Sequence, residues 1–126
     1  MYRLFQIRPT EEQYELVNEF GWSKACEDIP IIEASQALRM GGSEAYVTEY
    51  DQFFEHVSDI DVRDLEQAFH VHNMQDESKI KRYGPQHSMS VGDVLVGEYG
   101  DVHMVDGFGF TQLLSSAVGT ECLAAS

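Results

Sequence analysis

The sequence predicts an α+β domain, with a small, mainly antiparallel sheet of about four strands and helices packed on one face of it. Three observations predict this class: a strand-like opening, a long helical region behind it, and a hairpin pattern close to the end. The predicted order of elements is β-α-α-α-β-α-β-β. A chain of 126 residues is long enough for one such domain with its own core, and too short for two.

The opening of the chain predicts a strand and a capped helix. Alternating apolar residues indicate a strand over 2–7. Thr10 and Gln13 have the spacing of a capping box, so a helix begins there and ends near Gly21. Its apolar side chains form a stripe along the helix, namely Tyr14, Leu16, Val17 and Phe20. Trp22 is expected to belong to the core rather than to act as an exposed anchor for a partner.

Two further helices are predicted before the chain returns to the sheet. One covers the run SKACEDI and ends at Pro30, and the other covers IIEASQALRM and ends at Gly41–Gly42. The next stretch, GGSEAYVTEYDQ, lacks a clear period, so we expect an irregular loop that lies over the domain like a lid.

A second strand and a fourth helix are predicted in the middle of the chain. The strand covers 53–60, in the run FFEHVSDI. Asp61 is expected to cap the helix, with Asp64 at its third position, and the helix frays near His72–Asn73. The polar run MQDESKIKRYGP then predicts a connection without strand or helix.

A hairpin and a tail complete the predicted domain. The runs VGDVLVGEY and DVHMVDGF flank a turn at Tyr99–Gly100–Asp101, which predicts two antiparallel strands. Small and weakly patterned residues follow. We therefore expect one domain over 1–114 and a flexible tail over 115–126.

The charge of the chain is its most unusual property. Eight Lys and Arg stand against 22 Asp and Glu, for a formal net charge of −14. This balance disfavours direct binding to nucleic acid or to an anionic membrane, and it favours a basic protein partner or a high-salt environment. No apolar run approaches the ~20 residues of a membrane span, and the opening residues do not resemble a signal peptide. We expect a monomer or homodimer in the host cytoplasm, with no cofactor.

The two cysteines fit the same expectation of a reducing compartment. Cys26 and Cys122 lie far apart in the sequence and do not have the spacing of metal ligands. They are therefore expected to be free thiols.

Serine, glycine and aspartate come together in the run SMSVGDVL, at the entrance to the predicted hairpin. Ser88 and Ser90 alternate with Met89, and Gly92 permits a turn or a close backbone approach. Asp93 can accept hydrogen bonds from nearby backbone N–H groups. This pattern favours a structural motif with no catalytic residue.

A catalytic alternative uses the same region. Ser90 as nucleophile, His87 or His103 as base and Asp93 as orienting group would make a small enzyme that acts on a nucleotide or base. Such a site requires a shared geometry that neighbours in the sequence do not guarantee. The chain also lacks the Gly-x-Ser-x-Gly pattern of a nucleophile elbow.

Two other patterns are interpreted as structural. His70 and His72, with His56 as a third candidate, lack the spacing of known metal motifs, so no metal site is expected. In the run GFGF, we expect the side chains of Phe108 and Phe110 to pack on one sheet face, while glycines such as Gly107 relieve crowding.

The acidic residues are concentrated in the middle third of the chain. Ten carboxylates and one basic residue lie between Met40 and Glu77, for a local net charge of −9. Such a density approaches that of a nucleic-acid backbone, with about one charge per 1.7 Å of duplex. We expect these groups to gather on a single exposed side. The candidate partner-binding residues are Glu44, Glu49, Asp51, Glu55, Asp59, Asp61, Asp64 and Glu66.

Three blocks of the sequence together resemble the YodL-like domain family of phages, plasmids and other mobile elements. They are the opening YRLFQIRPT, the central HVSDIDVRDLEQAFHVHN, and the closing HSMSVGDVL followed by GFGF. The most specific part is SMSVGDVL, and the resemblance covers residues 2–113. The insert RPTEEQYELVNEFGWSKA is similar to a subgroup from prokaryotic viruses.

The resemblance implies a protein of a mobile element that counters host defences, and it implies no established active site. Together with the acidic region, it predicts a non-enzymatic protein that binds a basic host nuclease, restriction or CRISPR component. The acidic surface of this chain would then mimic DNA. The alternative is a domain of a halophile or its virus, whose acidity serves only solvation at high salt.

Overall fold

A computed structural model describes residues 1–74 and 76–119, and it confirms the α+β class. The described residues form ten strands and α-helices, with short 3-10 helices between some of them. The strands are β1 (Tyr2–Ile7), β2 (Phe54–Ile60), β3 (Ile80–Arg82), β4 (Val94–Val96), β5 (Val102–Val105) and β6 (Phe110–Gln112). The helices are α1 (Glu11–Phe20), α2 (Trp22–Asp28), α3 (Pro30–Gly41) and α4 (Leu65–Asn73).

The strands form one open antiparallel sheet of six strands, in the order β3-β2-β1-β4-β5-β6. The prediction of about four strands was therefore too low. The two additional strands, β3 and β6, have three residues each and lie at the two edges. β1 is central: Leu4 lies opposite Ser58 of β2 and Leu95 of β4, with a register shift after Leu4.

The helices cover both faces of the sheet, so the prediction that they pack on one face was wrong. Phe5 of β1 and Val94 of β4 share a core cluster with Leu38 of α3. Leu4 and Leu95, the adjacent residues in the same two strands, belong to a second cluster that includes α4. Because successive side chains of a strand point to opposite faces, α3 and α4 lie on opposite sides.

The predicted N-cap of α1 was confirmed, whereas the N-cap of α4 lies three residues later than predicted. The Thr10 hydroxyl accepts from the Gln13 backbone N–H, and the Gln13 side chain accepts from the Thr10 N–H, which completes a capping box. The cap of α4 is Asp64, whose carboxylate accepts from the Gln67 N–H at 2.8 Å. Asp61, the predicted cap, precedes the helix by several residues.

The connection after α3 is more ordered than the irregular loop that was predicted. It forms two 3-10 helices, Gly42–Ala45 and Thr48–Phe53. Tyr46, Tyr50 and Phe53 pack against the core cluster on the α3 side of the sheet. The connection therefore contributes to this core rather than lying over it as a separate lid.

Residues 115–119, predicted to begin a flexible tail, pack on the domain. Val118 is buried in the α3-side cluster, and the Ala117 N–H donates to the Asp51 carboxylate at 2.8 Å. Residues 120–126, including Cys122, lie outside the described residues. Cys26 is a half-buried free thiol. Within 1–74 and 76–119, no helix is long and apolar enough to cross a membrane.

The predicted apolar stripe of α1 is largely uncovered. Of its four side chains only Val17 is buried, in a small cluster with Ala25 of α2 and Ile32 of α3. Trp22 is half exposed, so the expectation that it belongs to the core was wrong.

Candidate functional site

The segment 83–93 crosses the sheet without forming a strand or helix. It links β3 at one edge to β4, which pairs with β1, so it must pass β2 and β1 on the way. Polar side chains hold it in place: Gln86 donates to the Val57 carbonyl at 3.1 Å and lies 2.6 Å from the His72 ring nitrogen. Asn73 and the Met89 backbone exchange two hydrogen bonds, at 2.8 and 3.1 Å. The end of α4 therefore fixes this crossing.

A buried polar cluster lies where the crossing reaches β4. The Gln6 side chain is fully buried, and its Nε2 donates to the His87 carbonyl at 2.9 Å and to Asp93 Oδ2 at 3.0 Å. The Ser90 N–H donates to the same Asp93 oxygen at 2.9 Å. Buried polar groups require such partners. These hydrogen bonds, which we call the Gln6–His87–Asp93 cluster, join β1 to the SMSVGD run.

Burial shifts the pKa values of both ionisable groups in this cluster toward their neutral forms. It raises the pKa of Asp93 to about 7, against the opposing effect of the hydrogen bonds from Ser90 and Gln6. Burial also lowers the pKa of His87, whose Nδ1 lies 2.8 Å from the Ser88 carbonyl and 3.9 Å from Asp93 Oδ2. We assign the Nδ1 proton to the Ser88 hydrogen bond. His87 Nε2 is buried and has no partner among the described residues.

Gly92 has a steric role beside this cluster. It has φ +95° in the turn from Ser90 to Asp93, which the Asp93 N–H closes on the Ser90 carbonyl at 3.0 Å. A Cβ at position 92 would lie 2.9 Å from Leu38 Cβ and 3.1 Å from the Leu38 carbonyl carbon. Both observations require glycine, because a positive φ and a tight contact with α3 exclude a side chain.

The residues of the catalytic alternative do not form a catalytic triad. His103 Nε2 lies 2.7 Å from Asp101 Oδ2, and the Asp93 carboxylate is directed to Gln6 and Ser90 N–H. Among the described residues, no hydrogen bond joins the Ser90 hydroxyl to a histidine. The arrangement therefore lacks the nucleophile-to-base contact of a triad.

The other histidines are used within the fold. His56 stacks on Phe5 and lies 2.8 Å from the Asp59 carboxylate, while His72 contacts Gln86. His70 is exposed on α4. The part of the chain covered by the structure contains no group of three or more residues suited to holding a metal ion.

The GFGF run behaves differently from the prediction. Phe110 of β6 is half-buried and makes an edge-to-face contact with Phe69 of α4, at 6.5 Å between ring centroids. Phe108 is fully exposed, so the two rings do not pack on one sheet face. A Cβ on Gly107 or Gly109 would meet nothing within 4 Å, so neither glycine relieves crowding.

Half of the eight candidate acidic residues already have partners within the chain. Asp51 accepts from the Tyr46 hydroxyl at 2.6 Å, and Asp64 caps α4. Asp59 lies between His56 and Tyr83, and Glu55 Oε2 lies 3.5 Å from Arg8. The first three therefore have structural roles, while Glu55 in its pair with Arg8 is largely exposed.

The other four candidates, which we call the central carboxylates, are exposed and have no ion pair within 1–74 and 76–119. They are Glu44, Glu49, Asp61 and Glu66. Glu49 lies in the Thr48–Phe53 helix on the α3 side of the sheet, whereas Glu66 lies on α4 on the opposite side. The expectation that the acidic residues gather on a single side was therefore wrong.

A cleft of about 720 Å³ lies between the start of α4 and the turn from β4 to β5. Its charged lining has both signs: Asp61, Glu98, Asp101, Arg63 and Lys79. Partial burial, and then the charges of Asp101, Asp64 and Glu98, raise the pKa of the Tyr2 hydroxyl at its edge. Sequence reasoning missed this cleft because its residues come from separate segments. Since neither sign of charge dominates, its lining does not define a ligand class.

Comparisons with protein-family models, curated proteins and solved structures find no match to this chain. The resemblance to the YodL-like family therefore stays a prediction from the sequence blocks.

Proposed function

We propose that this chain is a non-enzymatic interaction protein of a virus or mobile element, which binds and inhibits a basic host protein that handles nucleic acid. The observation that carries the proposal is the group of central carboxylates, which are exposed and unpaired within the described residues. Charges free of internal partners are available to basic side chains of another protein.

The distribution of these carboxylates is compatible with charge mimicry of a duplex. A duplex presents phosphates around its whole circumference, about one charge per 1.7 Å of axis. This protein has carboxylates on both sides of its sheet. It would therefore fit a basic groove that encloses it better than it would fit a flat basic surface. The attraction would be long-ranged and would weaken with salt.

The buried cluster supports a non-enzymatic reading. Asp93, the acid closest to the serines of the SMSVGD run, accepts structural hydrogen bonds from Gln6 and Ser90. His87 and His103 are directed to Ser88 and Asp101. The acid and both candidate bases of the catalytic alternative thus have internal partners that account for their positions.

The test is inhibition of purified nucleases by the intact chain. A panel of restriction endonucleases and CRISPR effector nucleases would be assayed on duplex DNA with micromolar protein. We expect inhibition of at least one, relieved by 0.5 M NaCl or by excess non-cleavable duplex. The central variant, Glu44→Gln/Glu49→Gln/Glu66→Gln, should raise the inhibitory concentration about tenfold, at ~0.5 kcal/mol per charge.

A control variant with the same net charge tests whether inhibition depends on the central carboxylates or only on the total charge. The helix variant, Glu12→Gln/Glu15→Gln/Glu19→Gln, removes three charges from α1 instead and should inhibit nearly as well as the intact chain. Equal loss in both variants would contradict a role for the central carboxylates. If no nuclease is inhibited, while the free energy of unfolding rises steadily toward molar KCl, high-salt adaptation is the better account.

A further inference from the structure

The surface of α1 and the start of α2 exposes three large apolar side chains within seven residues of the chain. Leu16 is 39% exposed, Phe20 is 56% exposed and Trp22 is 50% exposed. Leu16 and Phe20 are four residues apart, so they lie on the same helix face. Trp22 follows across Gly21, which has φ +83° and turns the chain into α2. We call these three residues the apolar corner.

The position of α1 in the fold explains why this corner is uncovered. α1 packs mainly on α2 and α2 on α3, whereas α3 is the helix of the three that packs directly on the sheet. Val17 is the buried side chain of α1, in the small cluster that it shares with Ala25 and Ile32. The rest of the apolar face of α1 therefore extends past the core.

Carboxylates border the apolar corner. At 100° per residue, Glu12, Glu15 and Glu19 lie side by side on α1, next to Leu16 and away from Val17. They are exposed and have no ion pair in the part of the chain that the structure describes. Over 11–28 the net charge is −5, and the one basic residue, Lys24, pairs with Asp28 at 3.3 Å.

We propose that this surface binds an amphipathic basic helix of a partner protein. The partner's apolar side chains would pack on Leu16, Phe20 and Trp22, and its Lys and Arg would face the row of Glu12, Glu15 and Glu19. A second copy of the chain is a poor occupant, because it would bring two surfaces of net charge −5 into contact. The inference does not rest on the proposed function: this surface is a second site, apart from the central carboxylates, and its partner helix belongs to a protein other than the nuclease that they bind.

The single tryptophan makes the test direct. Trp22 is the only tryptophan of the chain, so its fluorescence reports on the corner itself. The probe is a 14-residue peptide of Leu and Lys, with its leucines on one helix face and no aromatic residue. We expect a blue shift of the Trp22 emission and saturable binding to the intact chain, weakened by salt.

Two variants assign the binding to this surface. The helix variant should bind the peptide about tenfold more weakly, with three rim charges lost at ~0.5 kcal/mol each. Phe20→Ala, which truncates an exposed ring, should weaken binding by a similar factor and leave the urea midpoint nearly unchanged. The central variant has the same net charge as the helix variant and should bind like the intact chain.

Several results would overturn the proposal. Equal weakening by the central and helix variants, or equal binding of a peptide with the same composition but scattered leucines, would show attraction by net charge alone. A homodimer in sedimentation, with Trp22 already blue-shifted before peptide is added, would assign the corner to a second copy. Failure of the nuclease test leaves this measurement unaffected, since the two use different probes and different decisive variants.

Discussion

The buried Gln6–His87–Asp93 cluster and the exposed central carboxylates use acidic side chains in opposite ways. Asp93 is withdrawn from water and receives hydrogen bonds from Gln6 and the Ser90 N–H. Glu49 and Glu66 face solvent without a charge partner among the described residues. The difference teaches that acid density along the sequence does not show where a carboxylate matters for folding. A single aspartate in a sparsely charged segment has the larger structural role.

The largest expected effect concerns the ionisation of Asp93. Its pKa in the folded chain, about 7, lies above the ordinary value of 3.8, so folding favours the protonated form. The contribution of this group to stability is therefore highest below pH 4 and falls as the pH rises through 7. The shift corresponds to on the order of 4 kcal/mol. Asp93→Asn keeps an acceptor for both N–H donors and removes the charge. The free energy of unfolding of this variant, relative to the intact chain, should therefore increase by on the order of 4 kcal/mol between pH 4 and 9.

Urea unfolding at a series of pH values measures this difference directly. Other carboxylates titrate in both proteins, so the difference between the two curves isolates position 93. Parallel curves from pH 4 to pH 9 would mean that Asp93 ionises at its ordinary pKa and that the cluster tolerates the charge.

The second expected effect concerns the turn that carries Asp93 into β4. Gly92→Ala places a Cβ in a positive-φ conformation, which costs ~1–2 kcal/mol. It also forces that atom against Leu38 of α3, at 2.9 Å from its Cβ, and overpacking of this kind adds ~1–3 kcal/mol. We expect a loss of about 3 kcal/mol in the free energy of unfolding, read from the urea midpoint.

Gly107→Ala is the matched control for this substitution. A Cβ there meets nothing within 4 Å, and Gly107 does not have a positive φ. Its effect should stay within about 0.5 kcal/mol. Similar losses of unfolding free energy at positions 92 and 107 would mean that the Ser90–Asp93 turn has no stricter need for glycine than the exposed β5–β6 turn.

The parts of the fold that local sequence determines were predicted well. Strand β1, the Thr10–Gln13 capping box and the β4–β5 hairpin depend on neighbouring residues, and each has its pattern within about ten positions. The edge strands β3 and β6 were missed because three residues are too few to show a period of two. The two-sided arrangement was missed although the run Val94–Val96, buried throughout, is typical of a strand covered on both faces.

The candidate site shows the same division between local and distant information. The structural reading of Ser90, Gly92 and Asp93 rested on turn chemistry between neighbours, and their contacts are compatible with it. The roles of Asp51 and Asp59 depend on partners such as Ser116 and Tyr83, more than twenty residues away. The sequence offers no local signal for such pairs, so occupied and free carboxylates could not be distinguished in advance.

The smallest expected effect concerns Asp51, which lies between the two kinds of carboxylate. It is only half-buried, yet it accepts from the Tyr46 hydroxyl at 2.6 Å, the Ala117 N–H at 2.8 Å and the Ser116 hydroxyl at 3.0 Å. Asp51→Ala should lower the free energy of unfolding by about 2 kcal/mol, because water replaces only part of these bonds. Glu49→Ala, two residues earlier and exposed, should change it by less than about 0.5 kcal/mol. Urea midpoints within error of each other would mean that residues 115–119 gain no stability from Asp51. Asp51 would then belong with the carboxylates available to a partner.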